Sequence, residues 1–573
     1  MTSINESPDM LSTDVLVVGG GPVGMFAAVR LAQLGQRCVL IERFEHSTQH
    51  PKMEYTSHRT MELYRRSGLV DQIRARGIPE HHGFSETFTT GLGEGNYAVA
   101  TMERPSPEKL RKLWAASNDG SHPLEPHMRQ SQIIFEATMR EIVKNQPFIQ
   151  SYWGHTFESL VENDDGVVSN VHTPSGAVMT IKSRYVIGCD GAGSAVRLSA
   201  GIISPRKPMP LHLNFVHFKS KDVSLLQSQG DFWHLVILTG AALVAQDEVD
   251  TWTIHRMVPP GSDGSIEDPY QFISATLGGL GKPVDIKVDK ILLTGVWKTG
   301  MAVADSFQSS KGRVFLAGDS AHELTPAGGN GMNSGMQDAF DISWKLAAVL
   351  QGWAGQALLD SYNEERRPVA FMNAKVAEKA TVEVMMPWLT KAHEYGFETL
   401  VMDNAKGQAA RDVICDAILP GSWVHEQDGT VMGYRYNGSS IIVADRLAKE
   451  PPTSITKYFP STWPGARAPH VFLSDGSTSI FDLYGTDYSI VDFTTSGHAA
   501  DLFLAAAGKL DIPVTKIHLP KESHCRAIWE RDVVLVRPDG FVSWRSSADE
   551  TEILSAADIT KILLIVTARS ADN

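Results

Sequence analysis

The chain has few cysteines, no long apolar run and no excess of positive charge. Only four of its 573 residues are cysteine, namely Cys38, Cys189, Cys415 and Cys525, and no two of them are spaced as a zinc site or a CxxC pair. This scarcity excludes a disulfide framework and favours a reducing compartment. No run of about 18 apolar residues is present, so we expect no membrane-spanning helix.

The charge balance excludes further classes of partner. Lysine and arginine number 52 against 66 aspartates and glutamates, which gives a formal net charge of −14. Without a basic tract, this acidity disfavours nucleic acid and anionic membrane surfaces. Residues 1–12 are polar and lack the cationic start and apolar stretch of a signal peptide. We therefore expect a cytoplasmic protein of two to four domains.

The most informative feature that is present is a strand, a glycine turn and a helix near the N-terminus. Residues 14–18 are almost all apolar, which is typical of a strand buried on both faces of a parallel sheet. The turn GGGPVG occupies 19–24, a helix is predicted over 25–34, and a second strand over 37–42 ends in an acid. This order is the signature of a dinucleotide-binding unit.

Each part of this unit has a physical role toward a dinucleotide. Gly19 allows the tight turn, Gly21 lets a pyrophosphate approach the backbone, and Gly24 permits close packing of helix on strand. The helix N-terminus, with Pro22 in its first turn, directs unpaired N–H groups at the phosphates. Glu42 is placed to accept hydrogen bonds from ribose hydroxyls. Arg43, which follows it, is counted among the predicted cofactor contacts.

Two later segments repeat the pattern of a strand that delivers an acid. Residues 184–188 lead into Cys189-Asp190-Gly191, and residues 313–317 lead into Gly318-Asp319. An acid at the end of a buried strand suits binding of a polyol such as ribitol. A glycine-rich segment then opens a helix predicted over 334–350, where N–H groups can meet a polarised flavin edge. The predicted contacts in this segment are Pro326, Gly329, Asn330, Gly331, Met332 and Asn333.

Together these motifs resemble the FAD-dependent aromatic hydroxylases, the single-component class A flavoprotein monooxygenases. The glycine turn, Asp190-Gly191 and Gly318-Asp319 are similar to the three FAD motifs of that family. The segment 59–63, RTMEL, followed by Gly68-Leu69, resembles the phenol hydroxylase branch. Arg129 and Gln132 resemble an Arg/Gln pair near the flavin in that family.

The resemblance implies a fold class and a division into domains. The fold expected is α/β, with a Rossmann-type FAD-binding domain formed by 13–200 and 300–400 and an antiparallel substrate sheet inserted over 201–299. A linker over 401–429 then leads to a thioredoxin-like domain over 430–573. That domain lacks CxxC, so it cannot exchange dithiols. We expect it to be a structural or dimer-contact module, and the protein to be a homodimer.

The resemblance also implies a reaction. The family uses NADPH or NADH and O2 to hydroxylate a small phenolic substrate through a flavin C4a-hydroperoxide, which a dry cavity protects from water. No second strand–GxGxxG–helix unit is present, so NAD(P)H is expected to dock transiently at Asp190 and Arg197. For Arg197, a salt-bridged helix residue is an equal alternative. No metal site is expected.

Candidate catalytic and substrate-pocket residues follow from the same resemblance. Glu54 lies five residues before Arg59, where the phenol hydroxylase branch carries an acid, and is the candidate base for the phenol. His58 is the alternative base, although both could be ordinary hydrogen-bonding residues. The strands predicted within 201–299 carry aromatic side chains that could line the pocket or belong to the core. These are Phe215, Trp233, Trp252 and Trp297.

Other functions remain open at this point. The same scaffold could epoxidise a polycyclic or polyketide substrate or carry out a Baeyer–Villiger oxidation. A flavin-dependent halogenase is a further alternative, although its WxWxIP string is missing at Trp252-Thr253-Ile254. A non-catalytic protein with the FAD fold would not need both of the later FAD motifs.

Overall fold

Three main sheets, with helices packed around them, organise the computed structural model, which describes residues 10–259, 261–547 and 554–569. Most of the polar N-terminal segment considered above therefore lies outside the described residues. None of the helices in this described part of the chain combines the length and the apolar character that a bilayer-spanning segment needs.

The first sheet has a parallel core, as the N-terminal motif predicts. Its five parallel strands are, in spatial order, Ile149–Trp153, Cys38–Glu42, Leu11–Val18, Val178–Gly188 and Val314–Leu316. The hairpin Thr156–Asn163 and Gly166–His172 extends this sheet in antiparallel fashion. Parallel strands end at the same edge of a sheet, so the segments after Val18, Glu42, Gly188 and Leu316 meet there.

The second sheet has eight strands and is mostly antiparallel. In spatial order they are His322–Glu323, Lys290–Val303, Arg206–Lys219, Thr251–Met257, Ala241–Ala245, His234–Ile237, Glu86–Thr89 and Ala98–Met102. The predicted span of 201–299 leaves out His322–Glu323 at one edge of the sheet, and Glu86–Thr89 and Ala98–Met102 at the other. These two strands are short, and Glu86–Thr89 pairs in parallel with His234–Ile237 far along the chain. Sequence order alone does not reveal such a pairing.

The helices lie on the sheets and between the domains. They are Pro22–Gln33, His58–Arg66, Val70–Arg74, Pro107–Ser117, Gln132–Lys144, Ala195–Ser199, Val223–Leu226, Pro269–Gly278, Asn330–Gln351, Asp360–Ala380, Met386–Tyr395, Phe397–Leu400, Ala405–Ile418, Asp428–Val431, His498–Lys509, Ser523–Trp529 and Ala556–Val566. A two-stranded ladder pairs Tyr55–Thr56 with Met128–Arg129.

The segment 401–431, called the connector below, differs from the irregular linker predicted over 401–429. It contains the helix Ala405–Ile418 and the turn Leu419–His425. Ala410, Ile414 and Ile418 repeat at helical spacing and pack against Phe88 and Trp388. The connector is thus ordered because its apolar face covers the far end of the second sheet.

The C-terminal domain has the predicted thioredoxin-like order. Its strands, in spatial order, are Val514–His518, Tyr488–Asp492, Val533–Val536 and Val542–Arg545, of which the first two are parallel and the rest antiparallel. The helix His498–Lys509 connects the two parallel strands and packs with Ala556–Val566. Its only cysteine among the described residues, Cys525, is fully buried.

Candidate active site

The three glycine-containing motifs touch one another at the edge of the first sheet. A Cβ atom on Gly19, whose φ is +108°, would lie 2.3 Å from the Cys189 carbonyl oxygen. A Cβ on Gly24 would lie 1.9 Å from the Gly19 oxygen, and one on Gly318 would lie 3.0 Å from Val23 Cγ2. No side chain fits at Gly19 or Gly24, and the φ of +64° at Gly318 favours glycine there. The sequence motifs therefore form one cleft, which we call the FAD cleft.

The glycine turn presents free backbone groups to this cleft. Nothing lies within 4 Å of a Cβ position on Gly21. The helix Pro22–Gln33 starts without a side-chain cap and without an acid in its first turn. Its first N–H groups can therefore bind an anion such as a pyrophosphate.

Glu42, the predicted ribose-binding acid, lies beside the glycine turn. Its Oε2 accepts a hydrogen bond from the Gly20 N–H at 2.6 Å, and its Oε1 accepts one from Phe44 N–H at 3.0 Å. A carboxylate has about four acceptor positions, so both oxygens can still accept ribose hydroxyls. Arg43 is exposed, and its guanidinium lies 4.8 Å from the centroid of the Phe44 ring.

Asp190 and Arg197 are engaged by the protein itself. Asp190 accepts hydrogen bonds from Ser194 Oγ at 2.5 Å and from Val196 N–H at 3.1 Å, and burial raises its pKa. Arg197 donates to the Ser320 and Ala192 carbonyls at 2.7 and 2.8 Å. Arg197 therefore ties the second FAD motif to the third.

Asp319 has a free carboxylate at the cleft. It has no hydrogen bond or ion pair within the part of the chain that the structure describes. The residue is exposed to solvent, yet protein surrounds it closely enough that burial raises its pKa. This combination is expected at the base of a cleft, where a carboxylate can accept hydrogen bonds from a polyol.

A buried carboxylate that sequence reasoning missed holds the third motif in place. Asp338 accepts hydrogen bonds from Gly318 N–H at 3.1 Å and His322 Nε2 at 2.6 Å, and its other oxygen contacts Arg366 Nε at 2.7 Å. His322 is therefore engaged by Asp338 and shapes the loop. The sequence feature that could have revealed Asp338 is the presence of a charged residue on the apolar face of the helix predicted over 334–350.

The glycine-rich segment forms the second uncapped helix start of the cleft. Gly328 and Gly329 have φ of +79° and +66°, and the helix Asn330–Gln351 follows with no side-chain cap and no acid in its first turn. Nothing lies within 4 Å of a Cβ position on Gly331. The neighbouring Met332 packs against the main core, whereas Pro326 is exposed.

Two asparagines of this segment hold it against its surroundings. Asn333 Oδ1 accepts hydrogen bonds from Ser57 N–H and Thr60 Oγ1, both at 2.8 Å. Asn330 Nδ2 donates to Gln427 Oε1 in the connector at 2.9 Å. Both asparagines therefore fix the loop, and their amides point to protein partners.

The connector contacts the glycine-rich segment, the helix that begins at His58 and the second sheet, through residues that lie close together in sequence. Gln427 holds Asn330, and a Cβ on Gly328 would lie 2.3 Å from Gln427 Nε2. Asp428 Oδ1 lies 3.5 Å from Nε2 of His58, whose pKa is lowered by burial despite this acid. His425 Nε2 lies 2.7 Å from Oε1 of Glu86 in the second sheet. The predicted alternative base, His58, therefore pairs with the connector.

Arg129 and Gln132 support the chain around Glu54. The Arg129 guanidinium lies 2.5 Å from Glu248 Oε1 and donates to the Ala245 carbonyl at 2.7 Å. Ala245 ends a strand of the second sheet and Glu248 lies in the loop that follows it, so the Arg129 guanidinium is directed to this sheet; its contact with the flavin stays a prediction. Gln132 donates to Glu136 at 2.7 Å, and its N–H bonds the Met53 carbonyl.

One face of the second sheet carries two of the four predicted aromatic side chains, Phe215 and Trp297. Phe215 lies directly opposite His255, and their ring centroids are 6.1 Å apart. Trp297 lies 6.4 Å from the same imidazole. Gly295 makes room for Phe215, because a Cβ there would be 2.9 Å from its ring. We call this surface, with His234, the substrate face.

Two of the predicted pocket residues have other surroundings. Trp252 is fully buried on the opposite face, where it packs with Phe232 and donates to the Ser220 carbonyl. Because strand side chains alternate, Trp252 belongs to the core under the sheet and not to the substrate face. Trp233 lies just before a strand and stacks on Tyr55 and His234, with centroids 5.6 and 4.1 Å apart.

Glu54 lies against the substrate face in an ion pair. Its Oε1 is 3.1 Å from His234 Nε2, and its Oε2 accepts from Gln246 Nε2 at 3.1 Å. Burial acts to raise the pKa of Glu54, but His234, His255 and Gln246 outweigh it and lower the pKa below its usual value. Burial also opposes the charge on His234, yet two carboxylates raise its pKa to about 9.

Comparison with known proteins decides the family. Residues 12–377, more than half of the chain, match the family described as FAD binding domain, and residues 461–563 match that described as aromatic-ring hydroxylase, C-terminal. The chain belongs to the FAD-dependent aromatic hydroxylases. It is therefore an FAD-dependent monooxygenase, as the resemblance implied.

Relatives of this monooxygenase align over nearly their whole length. The FAD-dependent monooxygenase apdD of Emericella nidulans is 39% identical over 95% of the chain and 90% of the relative. Tetracenomycin B2 monooxygenase-dioxygenase of Streptomyces olivaceus is 30% identical over 97% and 99%. A solved structure of the flavin-dependent monooxygenase PieE with FAD and substrate matches with a TM-score of 0.85 and 25% identity, covering 98% and 100%.

Proposed function

We propose that this monooxygenase uses NAD(P)H and O2 to hydroxylate a phenolic ring, in a substrate of the polycyclic aromatic class. The observation that carries the proposal is the charged Glu54–His234 pair on an aromatic substrate face. The names of two relatives support the two parts of this proposal: 2,4-dichlorophenol 6-monooxygenase is named for a phenol, and tetracenomycin B2 monooxygenase-dioxygenase for a larger aromatic compound.

The residues of the FAD cleft fit FAD in their donor and acceptor types. The helix start at Pro22 would hold the pyrophosphate, Glu42 the ribose and Asp319 the ribityl hydroxyls. The N–H groups near Gly331 would meet the polar edge of the isoalloxazine. When bound, FAD supplies the activation of O2.

The substrate face supplies what a phenol needs. Phe215 and Trp297 offer apolar rings for an aromatic substrate. Glu54 keeps free acceptor positions beside its partners, so a phenolic hydroxyl can donate to it. Removing that proton, or weakening its O–H bond, makes the ring more nucleophilic toward an electrophilic oxygen. His234 and Gln246 orient the carboxylate for this task.

Reduction of FAD requires a separate site of approach for NAD(P)H. Within the described residues, the parallel sheet of the FAD cleft is the only one of dinucleotide-binding type. We propose that the nicotinamide cofactor docks transiently at the turn that contains Asp190, where Arg197 supplies positive charge. This leaves the choice between NADH and NADPH to measurement.

The test is a screen of phenols, including polycyclic ones, for stimulated NAD(P)H oxidation and for a product heavier by one oxygen. Glu54→Gln should keep FAD bound and slow hydroxylation by about a hundredfold, the usual scale of general base catalysis. The exposed Glu108→Gln is the matched control. Turnover by Glu54→Gln that equals wild type at every pH would reject Glu54 as the base.

A further inference from the structure

A second acid and a second histidine extend the Glu54–His234 pair away from the substrate face. His234 Nδ1 lies 3.6 Å from Glu86 Oε1, and the same oxygen lies 2.7 Å from His425 Nε2. The side chain of Glu86 is only 6% exposed, whereas that of His425 is 17% exposed. The four groups therefore run from the substrate face to the connector. Glu86, the more buried of the two carboxylates, lies between the two histidines.

The fold holds these groups in register. Glu86 and His234 are direct neighbours on two parallel strands, and His425 ends the turn Leu419–His425 of the connector. The Trp233 indole contacts both imidazoles, with centroids 4.1 Å from His234 and 5.4 Å from His425.

Other charged and titratable groups face this row of four side chains from neighbouring elements. His255 and Arg129 act on Glu54, and His127 and Arg104 lie on the side of His425. Arg129 is cationic and favours the charged form of Glu54, whereas burial lowers the pKa of both His255 and His127.

The ion pair with His234 weakens Glu54 as a proton acceptor, and Glu86 offers a way to remove this obstacle. A carboxylate held by an imidazolium is a weak proton acceptor, because accepting a proton forfeits the ion pair. Glu54 can take a substrate proton effectively only if His234 gives up its own. The acceptor closest to the other nitrogen of His234 among the described residues is Glu86.

We propose that Glu54, His234, Glu86 and His425 form a proton relay, with His425 as its exit to solvent; this rests on the proposed function. The substrate O–H bond breaks and its proton goes to Glu54. The imidazolium of His234, which carries a proton on each nitrogen, releases its Nδ1 proton to Glu86 and stays hydrogen-bonded to Glu54 through its Nε2 proton. Glu86 protonates His425 Nε2 as Nδ1 of His425 releases a proton to water. One proton enters, one leaves, and no electrons move.

The step from His234 to Glu86 is longer than a hydrogen bond. A bridging water closes a gap of this size, and catalytic hydrogen bonds commonly tighten when substrate binds. The Glu54–His234 contact is a hydrogen bond of 3.1 Å, and the His425–Glu86 contact is an ion pair of 2.7 Å that becomes a hydrogen bond when the imidazole turns its N–H toward the carboxylate.

The experiment follows proton release when the oxidised FAD enzyme binds alizarin, a polycyclic phenol whose colour reports its ionisation. Release is recorded with a pH indicator by stopped flow in weak buffer. His425→Ala and Glu86→Gln should bind alizarin and FAD as wild type does, but release the proton at least about tenfold more slowly. Added imidazole should restore the rate in His425→Ala and not in Glu86→Gln.

The matched control is His172→Gln, which removes an exposed histidine paired with Glu158 on the first sheet. It should release the proton at the wild-type rate. Unchanged release in His425→Ala would overturn the relay while the proposed function stands. Slow release that imidazole does not restore would also overturn it, since His425 would then be a packing residue. A wild-type enzyme that binds neither alizarin nor simpler phenols would overturn the proposed function and the relay together.

Discussion

Replacing Glu62 with glutamine should loosen the C-terminal domain from the rest of the enzyme. Glu62 lies in the RTMEL segment and is fully buried, and its carboxylate forms an ion pair with Arg467, also fully buried. Arg59 and the Leu124 N–H contact the same carboxylate at 3.2 and 2.8 Å. The segment that resembled phenol hydroxylases thus anchors the C-terminal domain.

The size of the effect follows from the electrostatics. Burial acts to raise the pKa of Glu62, but Arg467 and Arg59 outweigh it and lower the pKa to about 2. Compared with an ordinary value of about 4.3, this corresponds to about 3 kcal/mol at neutral pH. Because the folded state depresses the pKa, this stabilisation is complete above about pH 4.3 and is lost as the pH falls toward 2. Removing one partner of a buried pair costs about 3–5 kcal/mol by comparison.

Hydrogen exchange is the suitable assay, because a chain of several domains does not unfold in two states. Glu62→Gln should lower the opening free energy of the strand Tyr488–Asp492 by about 3 kcal/mol at pH 7. The double variant Glu62→Gln with Arg467→Met should recover part of this loss, since no unpaired charge remains at Arg467. The exposed Glu108→Gln should leave exchange unchanged. Wild-type protection in Glu62→Gln would refute the reasoning.

Four further substitutions have definite expected outcomes. Gly24→Ala should abolish FAD binding, measured by flavin absorbance, because its Cβ would clash with Gly19. Asp319→Ala should weaken FAD retention about tenfold or more, and a fully yellow preparation would count against its role. Gln427→Ala should raise the FAD dissociation constant, since buried Asn330 loses its partner. Trp252→Phe should lower the unfolding temperature and leave turnover unchanged; impaired turnover alone would place it in the pocket.

The FAD cleft could be predicted from short sequence patterns, because each of its turns and acids is positioned by a strand or helix that lies next to it in the sequence. The turn at Gly19 and the acids Glu42 and Asp319 each follow a buried strand within a few residues. Parallel strands then bring all three to one edge of the sheet. The thioredoxin-like order after Tyr488 follows in the same way from its strands and helices.

The substrate side depends on contacts between residues far apart in sequence, which no single pattern contains. Strand alternation, once the register is known, separates Phe215 from Trp252, although both are aromatic residues in strands. Arg129 resembled a flavin contact, but Glu248 in a distant loop determines its direction. The connector could not be recognised as a wall of the site, because the partners of His425 and Gln427 lie in other domains.

The central claim, that one oxygen atom from O2 enters a phenolic ring beside Glu54, is tested most directly with isotopically labelled O2. The enzyme is mixed with NAD(P)H and a phenol that stimulates its oxidation, and the product is analysed by mass spectrometry. We predict a product that carries one labelled oxygen for each NAD(P)H consumed. Consumption of NAD(P)H that yields only hydrogen peroxide for every phenol tested, or a product that takes its oxygen from water, would contradict the account.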